Sequence, residues 1–159
     1  MPAATSKGST LYNSGSYVVA AAAAPDGHSV ATAHLDGSVF AFAFGDDGNI
    51  SSPVRICQHP SVPACLAWGE HIAVASPDRK LFFYDPANGS VVQRFDYSRD
   101  DDATAAASIA MSPNGASLVV GSVDRVQVYN YQSRRQTWDE TPAKAFEGLH
   151  TGRGSPWVA

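Results

Sequence analysis

The hydrophobic positions of this chain come in short runs of four to seven residues, each cut off by turn chemistry, and the runs recur in the same order. Small apolar segments, "VVAAAAA" (18–24), "ACLAW" (64–68) and "AASIAM" (106–111), each meet a tight turn, "PDGH" (25–28), "GEH" (69–71) or "SPNG" (112–115). A second apolar run follows, "SVATA", "IAVAS" or "SLVVGS". Next come an aspartate, a third run rich in aromatic and β-branched residues, another turn ("GDDGN", "PANG") and a more polar fourth run, "PVRICQH" and "SVVQRF". No stretch keeps a 3.6-residue period, and the Pro, Gly and β-branched content opposes helix. The pattern predicts an all-β chain built as antiparallel meanders of four strands.

The three aspartates, Asp36, Asp78 and Asp124, stand 42 and 46 residues apart. Four strands in a period of about 40–45 residues is the arithmetic of a β-propeller blade. Three blades are expected, at about 17–59, 64–96 and 106–146. Residues 1–11 are expected to be disordered or a partial strand, and 147–159 an irregular tail. Central runs such as "LFFY" and "LVVG" are apolar without alternation, as suits sheets covered on both faces by neighbouring blades. The Ala-rich first runs suit an inner strand where blades crowd, and the polar fourth runs an outer edge. Asp36, Asp78 and Asp124 are read as structural hairpin residues whose carboxylates accept nearby backbone N–H groups. After Asp124 the third run is one residue shorter, which leaves a bulge and a tightened turn both open. Propellers have about four to eight blades, so three would leave two apolar faces open, to be met by blades from a parent chain or from another chain.

Charge narrows the function. Lys and Arg total 11 against 15 Asp and Glu, a net charge of −4, and charged residues make up only 16% of the chain. Nucleic-acid binding needs a concentrated cationic stripe, and this bulk charge argues against it while leaving a local basic patch open. The longest apolar stretch, 17–25, is too short for a membrane span, and no secretory leader is visible in the first residues. Cys57 and Cys65 are eight residues apart, which fits neither zinc spacing nor a disulfide scaffold; they read as buried thiols of a reduced, intracellular protein.

A catalytic reading finds little. The five histidines (28, 34, 59, 71 and 150) show no second ligand at metal spacing, and no nucleophile elbow, zincin helix or phosphate loop occurs. "GDDGN" lacks the later ligands of a calcium loop, and "RDDDA" (99–103) reads as a solvated loop. No cofactor and no catalytic residue is assigned. One surface feature stands out: Arg134, Arg135 and Trp138 lie within five residues on the segment joining two strands, and Arg and Trp are favoured at binding hot spots. The alternative is an exposed hairpin with Trp138 tucked onto its own blade. Two arginines fall short of the roughly four to eight basic residues that read lipid headgroups, so membrane contact has weak support.

The repeat pattern resembles WD40 repeats. In detail, "SYVV" (16–19), "HLDGSV" (34–39), "GDDG" (45–48), "QHPSVPACLAW" (58–68), "DRK" (78–80), "FDYSRD" (95–100) and "GSVDRVQVYNYQSRRQTWDE" (121–140) resemble the WD40 region of the intraflagellar transport protein 172 family, from about Leu11 to Phe146. The resemblance implies a non-enzymatic scaffold of intraflagellar transport complex B, needed for cilium assembly and carried along the axoneme. It implies other subunits of that complex as partners, and a location in the cilium or flagellum and in the cytoplasm near its base. Beyond Phe146 the pattern departs into Gly, Pro and Arg, which reads as a piece of a longer protein. A WD40 adaptor of a vesicle coat is the alternative function; a propeller enzyme would need residues from other blades.

Overall fold

The computed structural model describes residues 15–97, 106, 108–122 and 125–147. Among them every regular element is a strand. The first sheet holds β1 (Val18–Ala23), β2 (Ser29–His34), β3 (Ser38–Ala43) and β4 (Val54–Gln58). The second holds β5 (Cys65–Trp68), β6 (Ile72–Ala75), β7 (Lys80–Tyr84) and β8 (Val91–Asp96). The third runs through β9 (Ser108–Met111), β10 (Ser117–Gly121) and β11 (Arg125–Gln132), with β12 (Thr137–Trp138) and β13 (Lys144–Glu147) both on the outer side of β11. All pairings are antiparallel and join strands consecutive in the chain, except that β11 pairs with β13 as well as with β12. The first two sheets are four-strand meanders, and the third carries a fifth strand, β13, which reaches Glu147.

The Ala-rich first strands are innermost. β5 lies between β1 and β9, and these three strands line an open groove of about 250 Å³ with Ala21, Ala22, Ala23, Ala67 and Ala110 among its walls. Small side chains let the sheets converge there. Two cores hold the sheets together. Between the first and second sheets, Ala31, Ala33, Val39 and Cys57 meet Leu66, Ile72, Val74, Phe82 and Tyr84. Between the second and third, Leu81, Phe83 and Phe95 meet Leu118, Val120, Tyr129 and Trp138. Alternate residues of β7 thus serve alternate interfaces, which is why "LFFY" is apolar throughout and all four residues are buried.

The outer strand of the third sheet is split. β12 pairs with Tyr131 and Gln132 and β13 with Arg125–Val128. Backbone bonds Asp139 N–H to Asn130 O (2.9 Å) and Ala143 N–H to Val128 O (2.7 Å) close the two ends, leaving 140–142 to arch away. Pro142 lies in that arch and has no N–H to give the ladder.

A close approach fixes the second sheet against the first. Gly89, in the β7–β8 hairpin, has φ +73°, and a Cβ there would stand 1.8 Å from the Ile56 carbonyl oxygen of β4. Only glycine fits both conditions. Gly89→Ala is expected to cost about 2 kcal/mol or more, from the left-handed backbone and the displaced strand together. Gly27→Ala shares the positive φ (+74°) but meets no atom within 4 Å. Urea unfolding of both variants separates the effects, and equal losses would remove the packing argument.

Candidate interaction surfaces

The hairpin aspartates sit in matched turns. Asp36 accepts hydrogen bonds from the Ser38 backbone N–H (2.9 Å) and hydroxyl (2.6 Å). The Ser38 hydroxyl and then its N–H hold the carboxyl of Asp36 below its usual 3.8. Asp78 accepts the equivalent N–H of Lys80 at a longer 3.3 Å. Both carboxylates are exposed, so they order the turn from its solvent side and not as buried acceptors. Asp124 lies outside the described residues, as do residues 1–14, the "RDDDA" run and 148–159. The residue after each aspartate takes a left-handed conformation, Gly37 at φ +89° and Arg79 at φ +69°. Arginine there is strained by about 1–2 kcal/mol where glycine is not.

The backbone of each turn also anchors the next sheet. Gly37 O accepts from His59 N–H at 2.7 Å, and Arg79 O from Tyr97 N–H at 3.0 Å. His59 and Tyr97 thereby occupy corresponding places after β4 and β8, and each sends a ring into the gap that follows. His59 Nδ1 lies 2.7 Å from the Tyr84 hydroxyl and Nε2 2.8 Å from the Ser76 hydroxyl, all three residues buried. The Ser76 hydroxyl leans toward Lys80 O at 3.5 Å. One consistent arrangement has Tyr84 donating to Nδ1 and the Nε2 N–H donating to Ser76. Burial pushes the His59 pKa down to about 4, against a smaller opposite pull from Asp78, so the ring is neutral. Tyr97 donates its hydroxyl to Ser76 O (3.0 Å), accepts Ala106 N–H (2.7 Å), and its carbonyl accepts the Tyr129 hydroxyl (3.0 Å). These polar nodes stitch sheet to sheet. Spacing does not single them out: the places of Ser76 and Tyr84, two before and six after Asp78, hold His34 and Phe42 around Asp36.

Arg134 and Arg135 stand at the tip of the β11–β12 hairpin, in the turn 133–136, and both are exposed. Gln136 takes φ +54° to close that turn. Arg135 approaches Asp139 at 3.9 Å with its side chain 73% exposed, a contact of little energetic weight. Trp138 does not share their surface. It is 2% exposed, stacked on Phe83 of the second sheet at 4.9 Å and 16° and tilted against Tyr131 at 5.3 Å. It packs across onto the neighbouring sheet, a placement neither sequence reading anticipated. Gln93 of β8 clamps its backbone: the side-chain amide donates to Trp138 O at 2.8 Å and accepts Trp138 N–H at 2.7 Å. The structure therefore brings Arg134 and Arg135 together at a hairpin tip and makes Trp138 the root of that hairpin.

Among the described residues no group of three or more His, Cys, Asp or Glu could hold a metal. Cys57 and Cys65 are free and buried, and burial pushes their thiols up to about 12 and about 11, which keeps them protonated and unreactive.

No family profile matches the chain. Individual relatives do. The chain is 40% identical over 154 residues to the intraflagellar transport protein 172 homolog of Danio rerio, covering 96% of this chain and 9% of that one. Against the homolog of Homo sapiens it is 36% identical over the same length. Against intraflagellar transport protein 172 of Chlamydomonas reinhardtii it is 32% identical over 143 residues, 89% of this chain and 8% of the relative. The chain thus spans about a tenth of the length of these relatives. Two solved structures, the RRP9 WD40 repeats and U3-55K, each superpose with a TM-score of 0.63 at 16% identity, over 87% of this chain and 41% of theirs; that likeness concerns the fold alone. Across two four-stranded sheets and a third of five strands this chain has the WD40-propeller fold, and it belongs to the intraflagellar transport protein 172 family.

Proposed function

We propose that the chain is a protein-interaction module of intraflagellar transport, a rigid scaffold without chemistry of its own that works in the cilium or flagellum. The observation that carries this reading is the 40% identity sustained over 154 residues with an intraflagellar transport protein 172 homolog. The partners are other subunits of intraflagellar transport complex B, and the role extends to cilium assembly. Physical support comes from the architecture: sheets locked together by two aromatic cores and by buried polar nodes hold their loops in fixed positions. The exposed tip carrying Arg134 and Arg135 is one such presented surface, rooted by Trp138, and it suits an acidic partner. The faces of the first and third sheets that look away from the second are covered by further blades.

The test is fractionation of a ciliated cell expressing the tagged chain. Cosedimentation with complex B and enrichment in isolated cilia are expected. Recovery on vesicles in the cell body, apart from complex B, would replace this reading with that of a coat adaptor.

A further inference from the structure

β8 receives an extended segment of the protein's own chain on one of its faces and borders a charged cavity at the outer rim. On the face toward the third sheet, Gln93 clamps both backbone groups of Trp138, and the indole fills the gap against Phe83. Lys80, Phe82, Arg94, Phe95 and Asp96 line a cavity of about 400 Å³ at the outer rim of the sheet; of these, Phe82 belongs to the core toward the first sheet and Phe95 to the core toward the third. Arg94 pairs across the ladder with Phe82, and Lys80 with Asp96.

The chemistry of the open cavity is specific. The Arg94 guanidinium lies 5.9 Å from the centre of the Phe82 ring. Among the described residues its charge meets no carboxylate within ion-pair distance, whereas Lys80 is held by Asp96 at 3.2 Å. Lys80, Arg94 and Asp96 together leave the cavity with one positive charge in a chain whose net charge is −4. An arginine held over an aromatic ring by cation–π attraction still has N–H groups for bidentate capture of a carboxylate. β8 is also the outer strand of its sheet, so one of its edges is unpaired, and Val91 and Val92 on it are 48% and 44% exposed. An edge of this kind accepts an added strand.

We propose that the outer rim of the second sheet is a peptide-binding site, in which an extended acidic–aliphatic segment of a partner protein lies along β8 and places a carboxylate on Arg94 above Phe82. The site is separate from the hairpin tip and does not depend on the partner being a transport subunit. Valine side chains of the peptide would cover Val91 and Val92, and the cavity admits one acidic side chain beside Arg94.

The probe is a fluorescein-labelled Val-Glu-Val-Glu-Val peptide, titrated with the full chain by fluorescence anisotropy in 50 and 300 mM NaCl. The glutamate peptide is expected to bind, with affinity falling at higher salt, and its Val-Gln-Val-Gln-Val counterpart to bind at least about tenfold more weakly. Arg94→Gln should weaken binding by about the same factor and Arg94→Lys by less, because charge survives without the fork. Asp96→Asn frees Lys80 and should tighten binding, which keeps the test sound even if Arg94→Gln does not fold. The double variant Arg134→Gln, Arg135→Gln should change nothing. Equal affinity for the two peptides, indifference to both Arg94→Gln and Asp96→Asn, or loss of binding in the hairpin-tip variant would each overturn the site.

Discussion

Trp138→Ala is expected to destabilise the protein by about 3–5 kcal/mol, the range for emptying a fully buried large aromatic site. The indole stacks on Phe83, which itself belongs to the core shared by the second and third sheets, and it also touches Tyr131. Truncation leaves a void at the junction of two sheets, where neither can collapse without moving the other. Trp138→Phe is the informative contrast. The indole Nε1 is buried without a hydrogen-bond partner, so phenylalanine discards no bond and keeps most of the stacking; it should cost well under half as much. Urea denaturation of both variants at constant slope reads the difference. If alanine and phenylalanine were tolerated alike, Trp138 would not be the tie between the sheets. Arg134→Ala in the same experiment should stay within about 0.5 kcal/mol, because it sits on an exposed turn.

The fold was legible in the sequence because each of its causes is local. Short apolar runs, turns with Gly and Asn, and an aspartate returning every 42 to 46 residues each constrain only a few neighbouring residues, and together they define the meander. The Ala-rich first run announced the inner strand for a steric reason that needs no knowledge of partners. What links one sheet to the next was not legible. His59 and Tyr84 are 25 residues apart, Gln93 and Trp138 are 45 apart, and Tyr97 and Tyr129 are 32 apart. None of these pairs has a local signature, because the relative placement of two blades decides which side chains meet. Trp138 shows the consequence. Beside two arginines it reads as part of an exposed cluster, yet a two-residue strand turns it inward while Arg134 and Arg135 stay at the tip. Arg94 lacks a local signature for the same reason: its significance lies in the neighbouring Phe82 ring and in the absence, among the described residues, of a carboxylate within ion-pair distance. The aspartates illustrate the opposite case. Asp36 and Asp78 each accept the N–H two residues on, a contact set by neighbours in sequence, while their exposure depends on which side of the turn the sheet below leaves open.

Acidification from pH 7 to pH 4 is expected to weaken the joint between the first and second sheets through His59. Burial holds the folded-state pKa near 4 against an ordinary 6.5, so the unfolded chain takes up a proton in this interval that the folded chain refuses. Stability contributed by the neutral ring is complete above about pH 6.5, is lost progressively as pH falls to about 4, and changes no further below that. The full span is worth on the order of 3 kcal/mol. The groups facing the ring explain why protonation is resisted. Tyr84 and Ser76 are neutral hydroxyls, the Phe82 ring stands edge-on at 4.9 Å, and the exposed Asp78 carboxylate pulls the other way only weakly. A proton on both nitrogens would turn the acceptor nitrogen facing one hydroxyl into a donor and place a charge among apolar side chains. His71, whose pKa burial also lowers, leans in the same direction, so the wild-type profile alone does not isolate the site. His59→Gln does: it retains polar atoms in the gap but cannot titrate. Its urea midpoint should be lower than wild type at pH 7 and should fall less between pH 6.5 and 4, the two curves converging on the acid side. Parallel curves would assign the acid sensitivity to His71 and the carboxylates instead. Convergence would establish that the polar node between the first two sheets, and not only the apolar core around it, sets how firmly one blade holds the next.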